Sequence, residues 1–157
     1  MFRDPEDLKI LQIPLQTTVY DAVKALDEGR FGVVVVVDER GIFAGIMTNG
    51  DFRKFILGGG RLDEPIRLAM NASPVVVTQG SSLERELAAC FGDRNIRYVP
   101  ILDHNRSLVD LALASDMGGI EMVRHGLKPR NPVHNHSYHR VRHGRDMPAP
   151  QPLNQRI

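Results

Sequence analysis

The 157-residue chain is 42% hydrophobic and carries a formal net charge of +1, a composition that can bury one sizeable core. No stretch approaches the ~18–20 apolar residues of a membrane span, and the N-terminus has no apolar run behind a basic start, so we expect a soluble cytoplasmic protein. Residues 1–117 hold 13 Lys and Arg against 17 Asp and Glu, whereas residues 118–157 hold 7 against 2. The mildly acidic globular part argues against a nucleic-acid partner.

The first half of the chain predicts a compact unit of strands and helices. Val33 to Val37 are five β-branched residues suited to a strand buried on both faces, and Gly41 closes the turn that follows them. Thr18 is an N-cap candidate, with Asp21 three residues later. In chain order we expect a short helix or strand within residues 1–12, an extended piece at 13–15, a helix from Thr18 to Glu28, strands at 33–37 and 42–47, and a helix from Thr48 to Leu57.

The second half repeats this order of elements. We expect strands at 74–77, 96–102 and 107–113, and a helix that begins in a capping box at Ser81 to Glu84 and ends near Arg94. The offset is 64 residues between Thr18 and Ser82, and 65 residues between Asp51 and Asp116. An internal repeat of this kind predicts two α/β halves that pack on each other about a pseudo-twofold axis.

The repeat and its motifs resemble a tandem pair of CBS domains, also called a Bateman module. The motifs are the strand end Gly45-Ile46-Met47-Thr48 with Asp51 and Arg53, and the segment Ile96-Arg97-Tyr98-Val99-Pro100-Ile101-Leu102-Asp103. The resemblance implies two β-α-β-β-α repeats, the first with its linker at 8–71 and the second at 72–117. Gly50-Asp51-Phe52-Arg53-Lys54 and Met70-Asn71 are most similar to CBS pairs that precede sugar-phosphate nucleotidyltransferase domains.

The resemblance implies that Thr48 and Asp51 bind an adenine nucleotide. A carboxylate at a helix start can accept from both ribose hydroxyls, and a threonine beside it completes the clamp. Ile13, Leu15 and the backbone of the strand from Val33 to Val35 would form a slot for the base. The alternative is that Thr48 and Asp51 form only a helix capping box.

Further contacts are expected around the phosphates and in the second half. Arg97, and also Arg53 with Lys54, would reach phosphate, with solvated surface charges as the alternative interpretation. Asp116 keeps the carboxylate in the second half, whereas Leu113 replaces Thr48. Because Asp110 also stands where Gly45 does, we expect this second site to be weak or empty.

Residues 118–157 form a basic tail rich in His and Pro, for which we predict disorder. His134, His136, His139 and His143 are weak candidates for a zinc or nickel site, without a supporting cysteine or carboxylate cluster. In the nucleotidyltransferase fusions that this chain resembles, an Asn-Pro-Val sequence leads into a Gly-rich phosphate loop. Asn131-Pro132-Val133 is not followed by such a loop, so no transferase domain is expected. Cys90 allows no internal disulfide, and we interpret it as a small apolar core residue.

The sequence therefore predicts a non-catalytic regulatory module that binds AMP, ADP, ATP or a related adenosyl ligand. A conformational shift on binding would signal to a partner, which could be a sugar-phosphate nucleotidyltransferase or another regulated enzyme. The resemblance also implies a homodimer. Two alternatives stay open: a structural dimerisation or interaction module with vestigial sites left from a nucleotidyltransferase fusion, and metal binding by the tail.

Overall fold

The computed structural model describes residues 2–118, which form an α/β structure with two three-stranded sheets. The helices are α1 (Pro5–Leu11), α2 (Val19–Glu28), α3 (Asn49–Leu57) and α4 (Leu83–Cys90), with a 3₁₀ helix at Ile66–Leu68. The strands are β1 (Gln12–Pro14), β2 (Val33–Val37), β3 (Phe43–Thr48), β4 (Val77–Thr78), β5 (Tyr98–Leu102) and β6 (Leu108–Leu113). No helix within residues 2–118 combines the length and the apolar character that crossing a bilayer requires.

The two sheets have the same topology, which confirms the predicted repeat. In each sheet the first strand runs parallel to the second, and the second pairs antiparallel with the third, in the orders β1-β2-β3 and β4-β5-β6. The turns between the paired strands also match. The Oδ1 of Asp38 accepts from two backbone N–H groups at 2.8 and 2.9 Å, and the Oδ1 of Asp103 accepts from two at 2.9 Å. Each carboxylate thus closes the turn that the sequence predicts.

Strand β2 places its side chains on two faces, as the period of a strand requires. Val34 and Val36 pack under α2, together with Met47 and Ile66. The other face belongs to the core between the halves, whose buried members are Leu8, Leu11, Val33, Val35, Phe43, Ile46, Leu102 and Leu111. Because this cluster draws on both sheets, burial of its apolar surface holds the two halves together.

Helix α4 differs from the prediction at both ends. It ends at Cys90 and not near Arg94, because the chain turns after it, with the Oδ1 of Asp93 accepting from the N–H of Asn95 at 2.9 Å. The predicted capping box is wrong. Ser82 makes no side-chain cap, since its hydroxyl donates to the carboxylate of Glu86 one turn further on.

The linker between the halves lies across β3 of the first half. Ile46 and Asn71 exchange both backbone hydrogen bonds, at 3.0 and 2.8 Å. A Cβ atom at Gly45 would lie 2.5 Å from the carbonyl oxygen of Asn71, so only glycine allows this approach. A 3₁₀ turn at Ile66–Leu68 directly precedes this contact.

Replacing Gly45 by alanine should therefore lower the free energy of unfolding by about 1–3 kcal/mol, the usual cost of overpacking a filled site. Gly50→Ala is the matched control, because its added Cβ would meet nothing closer than 3.6 Å. Urea unfolding followed by circular dichroism measures both variants. Equal stabilities for the two variants would contradict the close contact at Gly45.

Candidate functional site

Thr48 and Asp51 lie at the junction of β3 and α3 and form a reciprocal capping box. The Asp51 N–H donates to the Thr48 Oγ1 at 3.2 Å, and the Thr48 N–H donates to the Asp51 Oδ2 at 2.9 Å. The Thr48 hydroxyl also donates to the same Oδ2, at 2.8 Å. The predicted cap is thus present. Both bonds that the Asp51 carboxylate accepts end on Oδ2. Among the described residues, the Oδ1 of Asp51 therefore has no hydrogen-bond partner and can accept from a ligand.

This pair opens into a cleft of about 350 Å³ that both halves build. The first half and the linker contribute Ile46, Thr48, Gly50, Asp51, Lys54, Asn71, Ser73, Pro74 and Val75. The second half contributes Asn95, Ile96, Arg97 and Tyr98. The cleft therefore combines apolar walls, a carboxylate that can accept from hydroxyl groups, and cationic side chains. This combination suits a ligand with an apolar ring, a sugar and an anionic group.

The cationic side chains of the cleft are Lys54 and Arg97, both exposed. They come from different halves, since Lys54 belongs to α3 and Arg97 directly precedes β5. Arg53 is also exposed, but it is not among the lining residues. Consecutive residues of a helix point about 100° apart, so Arg53 and Lys54 cannot share one direction.

The predicted base slot lies elsewhere in the fold. Ile13 is buried under α2 with Leu15 beside it, and the side chains of Val33 and Val35 face the core between the halves. None of these four residues lines the cleft at Asp51. The sheet order explains this: β1 lies on the far side of β2 from β3, so two strand spacings separate Ile13 from Thr48. A contact of these residues with a ligand stays a prediction.

The apolar walls of the cleft come from residues that sequence reasoning missed. They are Ile46 from β3, Pro74 and Val75 from the linker, Ile96 two residues before β5, and Tyr98 at the start of β5. The hydroxyl of Tyr98 donates to the carbonyl oxygen of Phe31 at 2.9 Å, which ties this wall to the first half. The available signal was the repeat itself, because two halves packed about a pseudo-twofold axis can each complete the other's site.

The second half lacks the hydroxyl of the motif, as the sequence predicts. The Leu113 N–H donates to the Asp116 Oδ2 at 2.8 Å, which reproduces the backbone part of the box at Thr48. Asp116 does not line the cleft at Asp51, and its carboxylate is paired with Arg3. The four histidine candidates for a metal site fall outside the described residues. Within residues 2–118, no three His, Cys, Asp or Glu side chains are grouped to hold a metal ion.

Comparison with known proteins confirms the resemblance that the sequence motifs indicate. Residues 6–58 match the family model of the CBS domain. An arabinose 5-phosphate isomerase, GutQ of Salmonella typhi, is 33% identical over 99 residues. That match covers 63% of this chain but only 30% of the isomerase, so the chain spans about a third of the length of such relatives. The sugar-phosphate context of the resemblance is thus found again, here with an isomerase.

Solved structures share the fold over the described part of the chain. A CBS domain protein from Pyrobaculum aerophilum, complexed with AMP, is 20% identical with a TM-score of 0.60, over 70% of this chain and 88% of that protein. The CBS domain pair of protein MJ0100, in complex with 5′-methylthioadenosine and S-adenosylmethionine, is 20% identical with a TM-score of 0.61, over 74% and 95%. At this identity the likeness establishes the fold of a CBS domain pair.

Thr48→Val should lower the free energy of unfolding by about 1–2 kcal/mol, because it removes the side-chain half of the capping box. Thr18→Val is the matched control, since Thr18 caps α2 through a single bond of 3.3 Å from the Asp21 N–H. Chemical denaturation of both variants measures the difference. The Thr48 variant should lose more stability, and an equal or smaller loss would mean that the bond to Asp51 contributes nothing.

Proposed function

We propose that this chain, which is a CBS domain pair, works as a regulatory module that binds an adenine nucleotide in the cleft beside Thr48 and Asp51. One observation carries the proposal: Asp51 lines the cleft, and the capping box occupies its Oδ2 while its Oδ1 accepts no hydrogen bond from the described residues. A ribose hydroxyl can donate to that oxygen without breaking the cap. The cap and the ligand clamp are therefore compatible roles of the same two residues.

The chemistry of the cleft supports an adenosyl ligand with an anionic group. Pro74, Val75, Ile96 and Tyr98 offer the apolar surface that a purine ring needs, and exposed cations stand beside it. AMP, S-adenosylmethionine and 5′-methylthioadenosine, which the two structural relatives hold, share the adenosine unit. ADP and ATP extend it with phosphates, which Lys54 and Arg97 suit.

The proposal gives this chain no chemistry of its own. Binding would shift the relative placement of the two halves, since the ligand contacts both, and a regulated enzyme would respond to the shift. Because the relatives include sugar-phosphate isomerases, we propose a sugar-phosphate enzyme as the regulated partner.

We also propose that the chain forms a homodimer. No residue of helix α3 is fully buried in the chain itself, and Leu57 at its end is 80% exposed.

Isothermal titration of AMP, ADP, ATP and S-adenosylmethionine tests the ligand. We expect saturable binding of at least one of them, and we expect Asp51→Ala to weaken it at least about 100-fold, since hydrogen bonds to a charged group contribute about 1.5–3 kcal/mol each. Asp21→Ala is the matched control, because Asp21 holds the equivalent position after Thr18, in α2 and outside the cleft.

A thermal shift gives an independent reading, since a ligand at 100 times its dissociation constant adds about 2.7 kcal/mol of stability. If no nucleotide binds the wild-type chain, the proposed function is wrong and the interaction module becomes the better interpretation. Equal losses in the Asp51 and Asp21 variants would instead indicate a general effect of removing a carboxylate from the first turn of a helix.

The phosphate contacts can be tested separately. Lys54→Ala and Arg97→Ala should each weaken ATP binding about 5- to 20-fold, while changing S-adenosylmethionine binding less. This is less than the full value of a charge-assisted hydrogen bond, because both side chains are exposed and solvent screens their charge. Arg53→Ala, a neighbour outside the cleft, should change neither. Titrations at two salt concentrations measure the electrostatic share, which salt reduces. A loss that is equal for both ligands would exclude a phosphate-specific role.

A further inference from the structure

In the second half, Asp116 is the counterpart of Asp51. The N-terminal segment, Phe2 and Arg3, lies beside it, and the Arg3 side chain binds its carboxylate. Asp116 follows Asp51 by 65 residues and accepts from the backbone of Leu113 as Asp51 does from Thr48. The Nη2 of Arg3 lies 2.6 and 2.5 Å from the two oxygens of Asp116. Where Asp51 presents a free oxygen to a cleft, both oxygens of Asp116 are thus bound to a cation from the same chain.

Asp110 anchors this segment. It is 6% exposed, and it accepts from the N–H groups of Phe2 and Arg3 at 2.7 and 3.1 Å and from the N–H of Leu111 at 2.8 Å. Asp110 stands where the first half has Gly45. At Gly45 the linker approaches β3 through backbone alone, whereas at Asp110 a carboxylate binds the leading segment of the chain. The aspartate that replaces glycine in the second half is therefore hydrogen-bonded to the backbone of Phe2 and Arg3.

The Arg3 side chain makes two further contacts besides its ion pair with Asp116. Its Nε donates to the carbonyl oxygen of Leu111 at 3.3 Å, and its guanidinium lies 4.7 Å from the centre of the Phe31 ring. The side chain is only 13% exposed. A guanidinium at this depth competes well with a neutral hydroxyl for a carboxylate, because charged hydrogen bonds are stronger and a buried cation needs its partner.

We propose that the N-terminal segment is an autoinhibitory plug: Arg3 competes with nucleotide for Asp116, so that the pair binds one nucleotide until the segment is released. Release opens a second adenine-nucleotide site at Asp116. This inference rests on the proposed function of the first half. The opened site is the weaker one, since Leu113 supplies no hydroxyl. The apparent affinity of a site that is open only a fraction of the time falls by that fraction.

The experiment uses the Asp51→Ala background, in which we expect binding in the first cleft to be weakened. AMP is titrated into Asp51→Ala and into Arg3→Ala/Asp51→Ala, both as full chains with a circular dichroism check of folding. We expect the double variant to bind AMP about 10- to 100-fold more tightly than Asp51→Ala. Adding Asp116→Ala should abolish the gain. In an otherwise wild-type chain, Arg3→Ala should raise the stoichiometry from one AMP per chain towards two.

Arg30→Ala is the matched control, because Arg30 also lies over the Phe31 ring, at 5.8 Å, but pairs with Asp7 and not with Asp116. It removes the same charge and should not open the second site. Arg3→Gln provides a second variant, which keeps a hydrogen-bond donor but removes the charge. If Arg3→Ala does not fold, Arg3→Gln must show the gain, and its failure to do so overturns the proposal.

The outcomes separate this proposal from the proposed function. If the wild type binds AMP but the double variant gains nothing over Asp51→Ala, the plug is wrong and the function of the first cleft stands. If the wild type does not bind but Arg3→Ala does, the plug is supported and the first cleft is not the nucleotide site. A gain that survives Asp116→Ala, or that Arg30→Ala also produces, overturns the plug as well.

Discussion

The backbone pairing of Ile46 with Asn71 is the contact on which the cleft depends. It lays the linker across β3, and only glycine at position 45 leaves room for it, with the carbonyl oxygen of Asn71 at 2.5 Å from the Cβ position. From there the chain continues past Pro74 and Val75 into the second half, so these residues form a wall beside Asp51. The cleft is thus a product of how the two halves are joined and not of either half alone.

The two halves share a fold but differ in chemistry because the repeat constrains different positions unequally. The sheet order, the carboxylate-closed turns and the buried strand positions recur, since each half must cover a sheet in the same way. The site positions carry no such constraint. Thr48 corresponds to Leu113 and Gly45 to Asp110, and these two exchanges turn a cleft with a free carboxylate oxygen into a contact with Arg3. Fold and site therefore diverge independently.

The strands and helix caps that depend on residues a few positions apart could be predicted from the sequence. The strand Val33–Val37, the cap at Thr18 and the box at Thr48 were readable from the sequence, because β-branched runs and cap spacing act over a few residues. The walls of the cleft were not readable, because Pro74 and Tyr98 meet Asp51 only after the halves pack. Arg3 and Asp116 are 113 residues apart, and no periodic pattern links them. Ser82 failed as a cap because Glu86 offered its hydroxyl a competing partner.

A ligand in the cleft at Asp51 would act on the contact between Arg3 and Asp116 through shared residues. Tyr98 lines the first cleft and donates to the carbonyl of Phe31, whose ring lies against the Arg3 guanidinium at Asp116. A ligand can shift this arrangement only by the difference in its affinity for the two placements of the halves. By linkage, release of Arg3 must then change the affinity of the first cleft by the same factor. The N-terminal segment therefore lies where ligand binding at Asp51 can change the strength of the contact between Arg3 and Asp116.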